Sequence, residues 1–72
     1  MRARIPLASS SALVAVFYDS DTAILEVEFR QGEVYRYFMV PQQVVTDLAA
    51  AESAGHYFGE RIRSRYREER VR

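Results

Sequence analysis

The ten residues from Gly32 to Pro41, GEVYRYFMVP, constrain the fold of this chain more than any other stretch. Glycine favours the left-handed backbone of a tight turn, and residues 34–39 have the composition of a β-strand. Pro41 suits the first turn of a helix, because it has no backbone N–H that would be left unpaired there. The segment therefore predicts a turn, a strand and a helix in direct succession.

Two further strands are predicted before this segment. Residues 11–18 are rich in valine and aromatic side chains and are followed by a turn cluster at residues 19–21, Asp-Ser-Asp. Residues 22–30 alternate between apolar and charged side chains, as a half-buried strand does. The apolar set is Leu25, Val27 and Phe29, and the charged set is Glu26, Glu28 and Arg30.

The loop between the second and third predicted strands decides which face each tyrosine occupies. A two-residue loop, 31–32, would place Tyr35 and Tyr37 on the face of the glutamates. A three-residue loop, 30–32, instead places Tyr35 beside Val27 and Tyr37 beside Leu25, with Gly32 in the left-handed position. Because a slip of one residue exchanges whole faces, burial favours the three-residue loop, and both tyrosines are then expected to point inward.

Two helices are predicted after the strands. Residues 41–54 form the first, with an apolar face of Val44, Val45, Leu48 and Ala51, and Gly55 is expected to end it in the left-handed conformation. A shorter amphipathic helix follows, because Phe58, Ile62 and Tyr66 recur every four residues.

The expected fold class is α+β: a three-stranded antiparallel β-meander followed by two helices packed on one face, in the order β-β-β-α-α. The other face of the sheet is expected to display a mixture of acidic, basic and apolar side chains: Ile24, Glu26, Glu28, Arg30, Val34, Arg36 and Phe38.

The length of 72 residues allows one domain, and the chain is predicted to divide into three parts. Residues 1–8 are expected to form a flexible basic arm, 9–67 the folded domain, and 68–72 a charged C-terminal tail that frays. The absence of cysteine is typical of reducing compartments, and no apolar run resembles a signal peptide or a membrane span, so a cytoplasmic protein is expected.

Arginine supplies every basic side chain, and residues 60–72 hold six arginines against three glutamates. Guanidinium groups pair bidentately with phosphate, so this end predicts an anionic partner. On a helix the arginines would form two rows beside the apolar stripe; the alternative is a solvated face with pairs such as Arg65 with Glu69. The predicted nucleic-acid contacts are Arg61, Arg63, Arg65 and Arg67, with help from Arg2 and Arg4.

Catalytic and metal sites are not expected. His56 is the only histidine, the serines at 9–11 have no nucleophile-elbow context, and residues 19–21 lack the glycine and glutamate of a calcium loop. The chain therefore predicts no enzyme, no metal and no cofactor.

The residues of these strands, turns and helices, with their spacing, resemble the KTSC domain. This family is named for its occurrence at the C-terminus of some lysyl-tRNA synthetases and is also found as small bacterial and phage proteins. The resemblance covers roughly residues 9–67 and depends on a central Tyr-x-Tyr with fixed spacing to a glycine and to Val-Pro. The residues that carry it most clearly are Gly32, Tyr35, Tyr37, Pro41, Gly55, Phe58, Ile62 and Tyr66. The resemblance implies no established activity and no assigned binding residues, and the synthetase fusion suggests RNA binding by association.

Two functions fit these observations. The first is a non-enzymatic module that binds RNA or another polyanion through an arginine-rich C-terminal helix. The second is a protein-interaction or homo-oligomeric module of a larger assembly, such as a phage particle, that uses Val34 and Phe38 on the outer face. The inward register makes Tyr35 and Tyr37 packing residues rather than a base-stacking platform. The family resemblance favours the first function.

Overall fold

Five antiparallel strands form one sheet, and two helices cover one of its faces. The computed structural model of the protein describes all residues, 1–72. The strands are β1 (Arg2–Arg4), β2 (Leu13–Asp19), β3 (Ile24–Phe29), β4 (Val34–Tyr37) and β5 (Glu68–Arg70). The helices α1 (Gln42–Ala50) and α2 (Ala54–Arg61) lie between β4 and β5 in the chain. The strands follow the order β1-β2-β3-β4-β5, which leaves β1 and β5 at the two edges.

The predicted register of the β3–β4 hairpin is confirmed. Val27 lies opposite Tyr35, and on the other face Glu26 lies opposite Arg36. Gly32 has a φ of 100°, a left-handed conformation that a residue with a Cβ adopts only with strain. The three-residue loop and its glycine therefore direct both tyrosines of β4 toward the helices.

The apolar core lies between the helices and the inner face of the sheet. Its fully buried side chains come from β2, β3, β4, both helices and the segments that join them: Val16, Leu25, Val27, Tyr37, Val40, Val45, Leu48, Ala54, Phe58 and Ile62. The buried Tyr18 hydroxyl donates a hydrogen bond of 2.6 Å to the Val40 carbonyl oxygen. This bond links β2 to the entrance of α1 and satisfies the one polar atom that Tyr18 brings into the core.

The predicted number of three strands is wrong, because β1 and β5 extend the meander at both edges. Arg2 of β1 pairs with Asp19 of β2, and Tyr35 of β4 pairs with Arg70 of β5. Both added strands have three exposed residues and no apolar alternation, so burial pattern alone does not reveal them. They lie within residues 1–8 and 68–72, the segments expected to form the arm and the tail.

The first helix is shorter than the predicted range 41–54. It ends at Ala50, and Ala51 is extended with a ψ of 144°. The next helix begins at once, because the Ser53 side chain accepts a hydrogen bond from the His56 N–H and caps α2. Gly55 is therefore not the left-handed terminus of a helix. It lies inside α2, where an added Cβ would be 3.4 Å from the Cβ of Ala12.

The second helix does not reach Tyr66, contrary to the prediction. It ends at Arg61, and the Arg63 N–H folds back onto the Phe58 carbonyl oxygen at 2.9 Å. Ser64 then takes a left-handed φ of 68°, which reverses the chain and returns it to pair with β4 as β5. The four-residue spacing of Phe58, Ile62 and Tyr66 thus comes from one helical turn followed by a tight turn.

A pair of glycine substitutions tests the hairpin. Gly32→Ala should lower the free energy of unfolding by about 1–2 kcal/mol, because alanine is strained at positive φ. Gly59→Ala, inside α2 with open space around its Cα, should raise it by about 0.5–1 kcal/mol. Urea unfolding of both variants measures the two effects, and a Gly32→Ala variant as stable as the native chain would contradict the assigned role of this turn.

Candidate functional site

One open cavity lies on the helix side of the sheet, between the β3–β4 hairpin and the turn after α2. Its volume is about 830 Å³, which falls within the range of ligand sites in proteins. Its aromatic lining is Phe29, Tyr35, Tyr37 and Tyr66. Its charged lining is Arg30, Glu33, Arg63 and Glu68. The cavity therefore combines flat apolar surface with charged groups of both signs.

The two tyrosines of β4 have different environments although they share a face. Tyr37 is 2% exposed and packs edge-on against Phe58, with ring centroids 5.3 Å apart. Tyr35 is half-buried; its ring stacks beside that of Tyr37 at 6.4 Å and meets Phe29 edge-on at 5.9 Å. Tyr37 thus completes the core, while Tyr35 closes the core on one side and forms cavity wall on the other.

Burial raises the pKa of the Tyr37 hydroxyl far above its ordinary value, and the negative charge of the neighbouring Glu68 adds to the shift. Glu68 lies directly opposite Tyr37 in the β4–β5 pairing. The hydroxyl consequently stays protonated throughout the physiological range and donates its hydrogen bond to the Glu68 carboxylate in the cavity lining.

The arginine-rich segment is mostly turn rather than helix, so the two predicted helical rows do not form. Arg61 ends α2, whereas Arg63, Arg65 and Arg67 follow it in the turn and the approach to β5. All four side chains are exposed, and none takes part in an ion pair. Arg63 is the one that lines the cavity.

Two of these arginines also lie over aromatic rings. The guanidinium carbon of Arg63 is 5.6 Å from the ring centroid of Phe58, and that of Arg67 is 5.4 Å from the ring of Phe38. Such contacts hold a guanidinium in place while its N–H groups stay available to a ligand. The alternative pairs of the helical prediction, such as Arg65 with Glu69, are absent.

Arg2 and Arg4 do not join this cluster. They belong to β1, four strands away from β5, a separation of about 19 Å at the usual strand spacing. The Arg2 guanidinium lies 4.0 Å from the Phe17 ring centroid and pairs with Glu26 at 2.7 Å. The N-terminal arginines therefore lie on a different face of the molecule from Arg63 and do not add to the predicted contacts there.

The outer face of the sheet is a network of charged pairs centred on Glu26. Its carboxylate accepts from Arg2 at 2.7 Å and from Arg36 at 3.2 Å, which ties β1, β3 and β4 together. Arg72 lies 3.8 Å from Glu28, a contact between the C-terminus and β3. These pairs fasten the edge strands that have no apolar side chains of their own to bury.

The apolar patch expected on this face at Val34 and Phe38 is covered by the chain itself. Val34 is only 5% exposed, and its carbonyl oxygen accepts hydrogen bonds from the N–H groups of Val71 and Arg72. Phe38 is half-buried below Arg67. The outer face is therefore mainly charged, while Ile24 and Phe38 remain half-buried on it and Val71 beside Val34 is exposed.

Comparison with known proteins agrees with this architecture. The family model described as the KTSC domain matches residues 9–66. The chain belongs to the KTSC domain family. The crystal structure of a KTSC domain protein from Yersinia pestis superposes with a TM-score of 0.88 at 32% identity, and the match covers 100% of both chains.

Sequence relatives of this KTSC domain are of two kinds. An uncharacterised protein from Stutzerimonas stutzeri is 47% identical over 57 residues, which is 79% of each chain. A lysine–tRNA ligase from Nostoc punctiforme is 39% identical over 54 residues, which is 75% of this chain but 10% of the ligase. The domain thus matches small proteins along most of their length and a minor part of much larger ones.

The residues that identify the KTSC domain fall into structural and exposed groups. Tyr37, Phe58 and Ile62 are buried in the core, and Tyr35 and Tyr66 pack against it while lining the cavity. Gly32 forms the hairpin turn and Pro41 precedes α1, accepting from the Val44 N–H. Most of these residues therefore pack in this chain, and Tyr35 and Tyr66 both line one cavity.

Sequence reasoning missed Arg30, Glu33 and Glu68 as cavity residues. Arg30 was expected on the outer face, but it lies in the hairpin turn, where its side chain donates to the Ser11 carbonyl oxygen. Glu68 could be placed only after β5 was known. The predicted loop of residues 30–32 contained Arg30, so it already indicated that this side chain lies at the hairpin turn.

Other candidate groups do not assemble into a reactive site. His56 lies exposed on α2 with Glu60 at 3.6 Å, and Asp19 and Asp21 bind the N-terminal amine of Met1. No cluster of three or more His, Cys, Asp or Glu side chains is arranged to hold a metal. Neither helix, of nine and eight residues, is long and apolar enough to cross a membrane.

The charged network on the outer face makes stability depend on pH. Burial opposes ionisation of Glu26, but the hydrogen bonds from Arg2 and Arg36 outweigh it and hold the pKa of Glu26 below its ordinary value of 4.5. Because the pKa of Glu26 is lower in the folded than in the unfolded chain, its ionised form stabilises the fold at a pH above the unfolded-state pKa. This stabilisation is lost as the pH falls through the folded-state pKa.

Glu26→Gln should therefore unfold more easily than the native domain at neutral pH, and its free energy of unfolding should fall less steeply on acidification. Glu52→Gln is the control, because Glu52 is exposed and forms no ion pair. Thermal unfolding from about pH 7 to about pH 3 measures the slopes. Identical pH profiles for the native domain and Glu26→Gln would contradict the role given to this network.

Proposed function

We propose that this KTSC domain is a non-enzymatic module that binds single-stranded RNA at the cavity and along the arginine-rich turn beside it. The observation that supports the proposal most is that three tyrosines and two arginines line one open cavity. Three more exposed arginines, Arg61, Arg65 and Arg67, lie in the same chain segment as the cavity residue Arg63. Aromatic rings and guanidinium groups on one surface are what unpaired nucleotides require.

The arginine-rich turn supplies the phosphate contacts. Arg61, Arg63, Arg65 and Arg67 are exposed and have no carboxylate partner, so binding a phosphate would not first require the loss of an internal ion pair. A guanidinium binds phosphate through two parallel N–H groups. Glu26 and Glu28 are paired with arginines on the other face, so these two carboxylates do not oppose phosphate binding at the turn.

The tyrosines supply surfaces for bases. Tyr35 and Tyr66 are half-buried, so part of each ring stays in contact with solvent at the cavity. Stacking of a base on an exposed aromatic ring contributes about 1–3 kcal/mol and does not require base pairing. A single strand with unstacked bases therefore fits this surface better than a duplex.

The relatives add support by association. The Nostoc punctiforme protein and two further cyanobacterial relatives are named lysine–tRNA ligases, and the matching segment is about a tenth of each. A small accessory domain joined to an enzyme that acts on tRNA is consistent with an RNA-contacting role.

A protein-interaction role has weaker support in this fold. The Val34 and Phe38 patch that would serve it is covered, and the edge strands β1 and β5 are three residues long and bear arginine or glutamate side chains. Short, charged edges disfavour pairing with another sheet. A stable oligomer that ignores RNA would nevertheless shift the function to this alternative.

The RNA proposal predicts salt-dependent binding. Fluorescence anisotropy with a short single-stranded RNA pool should show affinity that falls between about 50 and about 200 mM salt, with a log–log slope near −2 if three phosphates are contacted. The double substitution Arg63→Glu and Arg67→Glu should abolish binding, because two attractive contacts become repulsive.

Charge-matched single variants separate a local site from a general effect of charge. Arg63→Glu should weaken binding strongly, whereas Arg4→Glu changes the net charge equally but at the far edge of the sheet and should have little effect. Circular dichroism checks that both variants fold. Binding that is independent of salt, no binding at low salt, or an equal loss in both variants would overturn the proposal.

A further inference from the structure

The cavity is lined by charges of both signs, and phosphate binding alone does not account for the negative ones. Two glutamates, Glu33 and Glu68, line the cavity together with Arg30 and Arg63. A phosphate inside this cavity would be repelled by the carboxylates as much as it is attracted by the guanidinium groups. The group that enters the cavity must therefore present hydrogen-bond donors and acceptors together.

These four charged side chains are available to a ligand. None of them forms an ion pair within the protein; Arg30 donates one N–H to the Ser11 carbonyl oxygen, and the Glu68 carboxylate accepts from the Tyr37 hydroxyl. A carboxylate has several acceptor positions and a guanidinium has five N–H donors, so both retain most of their capacity. Groups of opposite sign that keep free hydrogen-bonding capacity around one cavity favour a ligand of matching pattern.

Guanine has that pattern. Its N1–H and N2 amino groups are adjacent donors that a single carboxylate accepts side by side, while O6 and N7 are adjacent acceptors for a guanidinium. Adenine, cytosine and uracil each lack the adjacent pair of donors. The flat ring also matches the tyrosine walls of the cavity.

We infer that the cavity selects an unpaired guanine, with Glu68 accepting from its N1–H and N2 amino groups, an arginine of the cavity donating to O6 and N7, and Tyr35 or Tyr66 stacking on the ring. The inference deepens the proposed RNA-binding function and rests on it. Glu68 is the assigned carboxylate because β5 fixes it opposite Tyr37 in the lining of the cavity. Glu33 lies in the hairpin turn at the other side.

The ligand provides the first test. Anisotropy titrations at constant salt compare three otherwise uridine-only RNA strands that contain one guanosine, one inosine or one adenosine. The guanosine strand should bind about tenfold tighter than the adenosine strand, the discrimination expected of one bidentate contact. The inosine strand, which lacks only the N2 amino group, should fall between the two. This comparison needs no protein variant, so it does not depend on how a substitution folds.

A matched pair of variants provides the second test. Glu68→Gln should remove most of the guanosine preference while leaving the salt dependence intact. Glu69→Gln is the control, because Glu69 is the next residue of β5 but pairs opposite Arg36 on the outer face. It should keep the full preference. A preference that survives in Glu68→Gln would overturn the assignment of this carboxylate.

The outcomes distinguish the inference from the function on which it rests. Equal, salt-dependent affinity for all three strands would overturn guanine selection and leave RNA binding standing. A parallel titration with guanosine monophosphate tests whether the cavity binds guanine from a free nucleotide rather than from an RNA strand. Binding of the free nucleotide without binding of any strand would support the guanine pocket and overturn the RNA function. No binding of strand or nucleotide would overturn both.

Discussion

The register of the β3–β4 hairpin is the constraint on which the rest of this structure depends. It is set by Gly32, whose left-handed backbone closes a three-residue loop. Had the loop been one residue shorter, the tyrosines of β4 would face the charged side and Arg36 would face the core. With the observed register, Tyr37 fills the core, Tyr35 forms the cavity wall, and Arg36 meets Glu26 outside. One turn thus separates the apolar and aromatic side of the sheet from its charged side.

The cavity exists because the chain returns to the sheet after α2. Ser64 reverses the chain, and β5 then pairs with β4 beside the tyrosines. This return places Arg63 and Glu68 on either side of the turn and within the same cavity wall. It also places neighbouring residues of β5 on opposite faces, so Glu68 lies toward the cavity while Glu69 lies opposite Arg36. The proposed binding surface therefore depends on the edge strand rather than on a helix.

Residue patterns predicted the elements that bury apolar side chains and missed those that do not. The alternation of residues 24–29 and the loop at Gly32 were sufficient to give the hairpin register and the inward tyrosines. The edge strands could not be found in this way, because β1 and β5 are short and charged and are held by backbone pairing and ion pairs. The four-residue spacing of Phe58, Ile62 and Tyr66 led to the wrong prediction of a helix up to Tyr66. A tight turn after α2 brings Tyr66 back against the core, as a further helical turn would have done. The sequence left open whether the arginines are free or paired with glutamates, because their arrangement depends on that turn.

If the helix-side cavity is the binding surface, as proposed for this KTSC domain, RNA should contact the cavity and not the charged outer face. The most direct measurement is amide NMR of the domain titrated with a short single-stranded RNA. Binding at the cavity predicts chemical-shift changes concentrated at Tyr35, Ser64, Tyr66 and Glu68, with the amides of Arg2 and Glu26 unchanged. Changes confined to the outer face, or no change at low salt, would contradict it.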